Sequence, residues 1–136
     1  MKACAETITV LNRRYDSATG RDVWARTVIA GVSWHSTIAA AVTQAGLKTA
    51  KTATVRIPVD ADAGGAVYLT PAAYNAAEST VGAYTLARGD IIVRAAINEA
   101  LTPAEVQAAY EDCVTIIGVT DNTRRPHGAH RKVVGQ

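Results

Sequence analysis

Phenylalanine is missing from this 136-residue chain, and cysteine, proline and methionine number only two, four and one. A core without phenylalanine must be filled by small and β-branched side chains. Here these are Ala, Val, Thr and Ile, with Trp24, Trp34 and five tyrosines as the only large rings. Cys4 and Cys113 are too few for a disulfide framework and lack the C-x-x-C spacing of a structural zinc site, so both read as free thiols in a reducing compartment. No run approaches the ~18 apolar residues of a membrane span. "MKACAETITVLN" turns polar too early for a secretory signal, so a soluble protein made in a cytoplasm, without a membrane partner, is expected.

Strong charge of either sign is also lacking. A formal charge of +2 does not by itself argue for a nucleic-acid partner, whose binders cluster their cations. Catalytic signatures are absent as well. The chain has no nucleophile elbow, no phosphate loop and no paired acidic motif, so no enzyme and no cofactor is expected.

What is present is hydrophobic for 49% of the residues, enough for a real core in a single domain spanning 1–136. "ETITVLNRR" alternates Ile8 and Val10 against Thr7, Thr9 and Leu11, a period of two that defines a strand. "YDSATGRD" then supplies a turn, and "DVWARTVIAGVSWH" a second β-rich run, so the two read as a hairpin. Residues 36–53, "STIAAAVTQAGLKTAKTA", have some helical spacing but β-rich flanks. The expectation is a projecting hairpin or loop at about 36–53, with two extended arms and a mobile tip preferred over a helix. A second hairpin-like unit is expected over "TATVRIPVDADAGGAVYLTP", with Pro58 at a strand edge or end.

"LTPAAYNAAE" from Leu69 and "LTPAEVQAAY" from Leu101 share their opening letters because they share cap chemistry. In each, Thr caps and Pro takes the first helical position, where its missing N–H costs nothing. An apolar staple pairs Leu69 with Tyr74 and Leu101 with Val106, and Glu105 completes a capping box with Thr102. The spacing predicts a brief helix after Thr70 and a firmer one from Pro103 to about Glu111. A strand is expected from Ile91 to Ile97 after the Arg88-Gly89-Asp90 turn. "CVTIIGVTD" then forms another strand, with "HRKVVG" pairing back on it. Many short strands between turn signals make the fold class mainly β: an antiparallel barrel or compact sandwich with two short helices.

The closing stretch "VTDNTRRPHGAHRKVVGQ" is the one local charge asymmetry. It carries Arg124, Arg125, Arg131 and Lys132, four of the fourteen Lys and Arg residues, against Asp121 alone. His127 and His130 lie three apart without a recognised zinc spacing, so no metal site is expected. Arg124, Arg125, His127, His130, Arg131 and Lys132 form a candidate loop facing a partner or DNA. Four cations on one subunit bind phosphates weakly, but a ring presenting the loop many times multiplies the effect.

"ITVLNRRYDSATGRDVWARTVIAGVSWH", "VRIPVDADAGGAVYLTPAAY", "YTLARGDIIVRA" and the closing stretch together resemble the small structural proteins encoded among the head and tail genes of tailed phages and prophages of Gram-positive bacteria. The most specific parts are Asn12-Arg13-Arg14-Tyr15, Gly89-Asp90-Ile91-Ile92-Val93 and Asp121-Asn122 to His130 before Val133-Val134-Gly135. The resemblance implies a head-completion, stopper or connector-like virion protein, assembled in the host bacterial cytoplasm. It also implies a homo-oligomeric ring that touches portal, adaptor or tail proteins and has non-specific contact with packaged DNA. The alternatives are a tail-completion or minor tail protein, and a small nucleic-acid-binding β-barrel using the basic loop.

Overall fold

In the computed structural model, which describes residues 5–43, 46–99 and 101–136, six strands close into an antiparallel barrel in the order β1-β2-β3-β8-β7-β6 and back to β1. The strands are β1 (Glu6–Asp16), β2 (Arg21–Thr43), β3 (Gly46–Pro58), β6 (Ile91–Val93), β7 (Cys113–Asn122) and β8 (His130–Gly135). The barrel form of the expected fold class is therefore the one adopted. Two short strands, β4 (Val67–Tyr68) and β5 (Ala83–Tyr84), pair outside it, and α1 (Pro71–Ala76) and α2 (Pro103–Ala109) complete the chain.

Period-two alternation decides which side of each strand is dry. On β1, Ile8 and Val10 join Ile29, Val32, Val55, Ile57, Ile92, Val114, Ile116 and Val133 in the barrel interior. Leu11, on the opposite face, packs with Ile91, Val93, Ile97 and Val106 beneath α2, with Trp24, Leu101 and Tyr110 at the margin. Burying a side chain of this kind contributes roughly 1.5–3 kcal/mol. Thr102 accepts from the Glu105 N–H while the Glu105 carboxylate accepts from the Thr102 N–H, so the capping box forms as the sequence predicts. Thr70 caps α1 by accepting from the Ala73 N–H.

Three expectations need correction. The "TATVRIPVDADAGGAVYLTP" segment is not a hairpin. Its first part belongs to β3, and Val67–Tyr68 runs parallel to Ala83–Tyr84. Pro58 ends β3, after which Asp62 exchanges two backbone hydrogen bonds with Ala30. β6 stops at Val93 rather than Ile97, because the Thr9 hydroxyl takes over the ladder, donating to the Ala95 carbonyl at 2.6 Å and accepting from the Ile97 N–H at 2.9 Å. α2 ends at Ala109, with the Tyr110 N–H closing the last turn on the Val106 carbonyl.

β2 serves two pairings in succession. Its first part pairs with β1 from Asp16↔Arg21 to Glu6↔Val32, and its second with β3 from Ser33↔Arg56 to Thr43↔Gly46. The change of partner falls beside Gly31, whose φ of 83° is the left-handed conformation that a bulge requires and that glycine adopts without strain. β8 stops pairing with β3 at Ala53↔Gly135. From Thr37↔Thr52 outward, the β2–β3 ribbon therefore has no third strand among the described residues. At ~3.3 Å per residue, Thr37 to Thr43 extend roughly 20 Å beyond the shared sheet. Residues 36–43 and 46–53 are thus paired strands; the tip at residues 44 and 45, expected to be mobile, lies outside the described residues.

Candidate functional site

The closing stretch folds as the connection between β7 and β8. Asp121 starts it with a side-chain turn, its Oδ1 accepting from the Thr123 N–H at 2.8 Å and from the Thr123 hydroxyl at 2.5 Å. Those two bonds, the hydroxyl first, hold the Asp121 carboxyl below its ordinary pKa, with help from Arg131 and Arg124. Arg124, Arg125 and His127 then follow, all exposed.

The six candidate residues do not act together. His130 is only 4% exposed, its Nδ1 lying 2.7 Å from the Gly128 carbonyl and its Nε2 3.3 Å from the Asn122 amide nitrogen. A carbonyl can only accept and an amide NH2 only donate, so in this geometry Nδ1 donates to Gly128 and Nε2 accepts from Asn122. His130 therefore latches the base of the loop and is not presented to a partner. The Arg131 guanidinium stacks 3.6 Å from the centroid of the Tyr68 ring, and Tyr68 meets Tyr84 edge to face at 5.6 Å. A contact of this kind contributes about 1 kcal/mol. Burial pushes the Tyr84 hydroxyl above its ordinary pKa against the opposing pull of Arg131. Lys132 is half-buried in the sheet opposite Arg56 and Thr120. Arg124, Arg125 and His127 remain as the exposed members of the set.

Pro126, Gly128 and Ala129 form one wall of a cleft of about 780 Å³, and Val59, Asp60 and Asp62 stand on the other. A backbone bond from the Val59 N–H to the Ala129 carbonyl joins the walls. The loop thus borders two carboxylates that charge counting over the closing stretch alone did not bring near it. Asp-x-Asp before Gly-Gly was visible in the sequence, but nothing local revealed that Pro58 and His130 are ladder partners. Among the described residues no three His, Cys, Asp or Glu side chains gather to hold a metal ion.

The Arg88-Gly89-Asp90 turn leaves Arg88 exposed but buries its aspartate. Asp90 is 2% exposed and accepts from the Asn12 side-chain amide at 2.8 Å, the Arg13 N–H at 3.0 Å and the Ala87 N–H at 3.2 Å. Burial pushes its pKa up, and these N–H donors and the Arg13 charge pull against that rise. Asn12, fully buried, also binds Thr85 through both its carbonyl and its N–H. The tripeptide is a joint between β1 and β6, with its carboxylate turned away from solvent.

The chain is thus a closed barrel that carries the β2–β3 ribbon and an exposed basic loop. The chain belongs to a family of unknown function, DUF6751, whose model matches residues 3–136. No curated protein and no solved structure matches it.

Proposed function

We propose that this chain is a structural protein of the head-tail region of a tailed phage or prophage. In this reading it is a head-completion, stopper or connector-like subunit, not an enzyme, which joins a homo-oligomeric ring and binds neighbouring portal, adaptor or tail proteins in the virion. The observation that carries it is the arm of β2 and β3, a ribbon that has no third strand among the described residues and is attached to a closed barrel. A ribbon of that length gains nothing for its own fold from standing clear of the core, whereas a neighbouring subunit can cover it. The test is made on particles. Mass spectrometry of purified virions should find the protein, and deleting its gene should leave heads and tails unjoined. Normal infectious particles from the deletion strain would overturn the proposal.

A second reading, non-specific nucleic-acid contact through the basic loop, is favoured by the exposure of Arg124 and Arg125. With Arg131 stacked on Tyr68, the loop offers few free cations, so binding should be weak and its salt dependence shallow, about −0.9 in log–log slope per phosphate neutralised. No binding to duplex DNA at low salt would remove it.

A further inference from the structure

β2 has a second exposed edge on the barrel body. The reciprocal bonds between Ala30 and Asp62 show that the Ala30 N–H and C=O point away from β1. Because this direction alternates along an antiparallel pair, Val28, Arg26, Trp24 and Asp22 point the same way. Among the described residues no strand pairs with them. The chain begins to cover this edge and then leaves it. Asp62 Oδ1 accepts from the Gly64 N–H at 2.9 Å, and Gly64 and Gly65, with φ of 65° and 85°, turn the backbone aside after a single bridge.

What remains is a groove along the edge. Two clefts of about 340 and 420 Å³ share Ala25 and Thr80. Ala25, Arg26, Thr27 and Val28 line the larger one consecutively, which a strand offers only along its edge, since alternate side chains face opposite ways. Val81, 93% exposed, and Val23 give its rim an apolar character. Tyr74, 1% exposed, lines the smaller cleft, and its hydroxyl is buried without a hydrogen-bond partner.

We propose that this edge, Asp22 to Val28, receives the arm of a second copy of the chain by strand addition, with the β3 side of the arm, Gly46 to Thr52, as the added strand. The proposal deepens the assembly reading above and rests on it for the occupant being a second copy. The two edges match in length, seven residues each, and each lacks a partner among the described residues. The arm carries cations, and the groove carries carboxylates beside its own arginines. Lys48 and Lys51 are the only charged residues between Ser36 and Ala53. At the groove, the Arg14 guanidinium is turned onto the Ala77 carbonyl and that of Arg26 onto the Asn98 carbonyl, while Asp16, Asp22 and Glu78 have no ion-pair partner among the described residues. Arm and edge are different surfaces, so the contact is head-to-tail and closes into a ring or continues as a filament.

Complementation between two variants tests it. Arg26→Pro removes an outward N–H without touching the β1 ladder, a position where proline is tolerated. Replacing residues 38–51 by Asn-Gly joins the paired Thr37 and Thr52 through a two-residue turn and deletes the arm. By analytical ultracentrifugation the unaltered protein should associate with rising concentration, each variant should stay monomeric, and their mixture should stop at a one-to-one dimer. Hydrogen exchange on the unaltered protein needs no substitution: the Trp24, Arg26 and Val28 amides should exchange roughly tenfold more slowly when concentrated than when dilute. Association that survives both variants, with those amides unprotected, would overturn the edge pairing and leave the ring standing. A protein monomeric at all concentrations would overturn the pairing, while its presence in virions decides the broader reading separately.

Discussion

The turn at Arg88-Gly89-Asp90 and the loop after Asp121 both hang on an aspartate, one buried between β1 and β6, the other on the surface. At Asp90 the carboxylate gathers three N–H groups from two distant parts of the chain, and burial raises its pKa despite them. At Asp121 it binds only Thr123, two residues on, and its pKa falls. The first aspartate is a fixture of the fold. The second shapes a local turn that keeps Arg124 and Arg125 outside.

The largest expected effect comes from breaking the buried member. Asp90→Ala strands three N–H donors and should cost about 3–5 kcal/mol in urea denaturation, distinctly more than Asp121→Ala. A loss at Asp90 no greater than at Asp121 would erase the distinction.

Stability measured across pH should separate the pair by sign. The raised pKa of Asp90 means that the folded state holds a proton the unfolded state has released, so its contribution is complete below 3.8 and is lost as pH rises through the raised value. Asp121 behaves oppositely: its contribution is complete above 3.8 and is lost as pH falls through the lowered value. Glu6, held down chiefly by Arg94, and Glu105, held down by Thr102, act in the same sense as Asp121 from a starting value of 4.5. Asp90→Asn should therefore remove a decline on the upper side of 3.8, and Asp121→Asn should soften one on the lower side.

Smaller effects belong to the base and tip of the loop. Tyr68→Leu removes the ring beneath Arg131 and should cost about 1 kcal/mol. Charge reversal at both Arg124 and Arg125 should change stability by less than ~0.5 kcal/mol, because both are exposed and the turn is set by Asp121. On the proposed head-tail reading, the same reversal should impair assembly or DNA passage. Normal assembly and infection would reduce the loop to a connection between strands.

Local chemistry was the legible part of the sequence. The alternation of Ile8 and Val10 against Thr9 and Leu11, the Thr102 capping box and the β7–β8 pairing all rest on residues close in the chain or on strict periodicity. Residues 36–53 were the least legible stretch, because the helical spacing of Ile38, Ala41, Val42 and Ala45 competed with β-rich flanks that only the pairing of β2 with β3 resolves. What was hidden depends on contacts across the chain. Thr9 ends β6 through residues more than eighty positions away, and Tyr68 occupies Arg131 from the far side of the sequence. The basic loop looked uniform because charge is a property of residue type, whereas the availability of a charge depends on its neighbours. His130 and Arg131 could be told from Arg124 and Arg125 only in three dimensions.

The position of β8 also governs when the barrel can exist. β8 lies between β3 and β7, and the Gln136 backbone exchanges two further hydrogen bonds with Thr115. Gly135 sits so close to β7 that an added Cβ would come within 2.7 Å of Val114. Until His130–Gly135 have been synthesised, β3 and β7 each lack this shared neighbour, and ribosome-bound intermediates carry two open sheet edges. Such edges are the sites at which incomplete β-proteins aggregate. Closure therefore waits for β8, the last barrel strand in sequence order, and until then those two edges depend on shielding from outside the barrel.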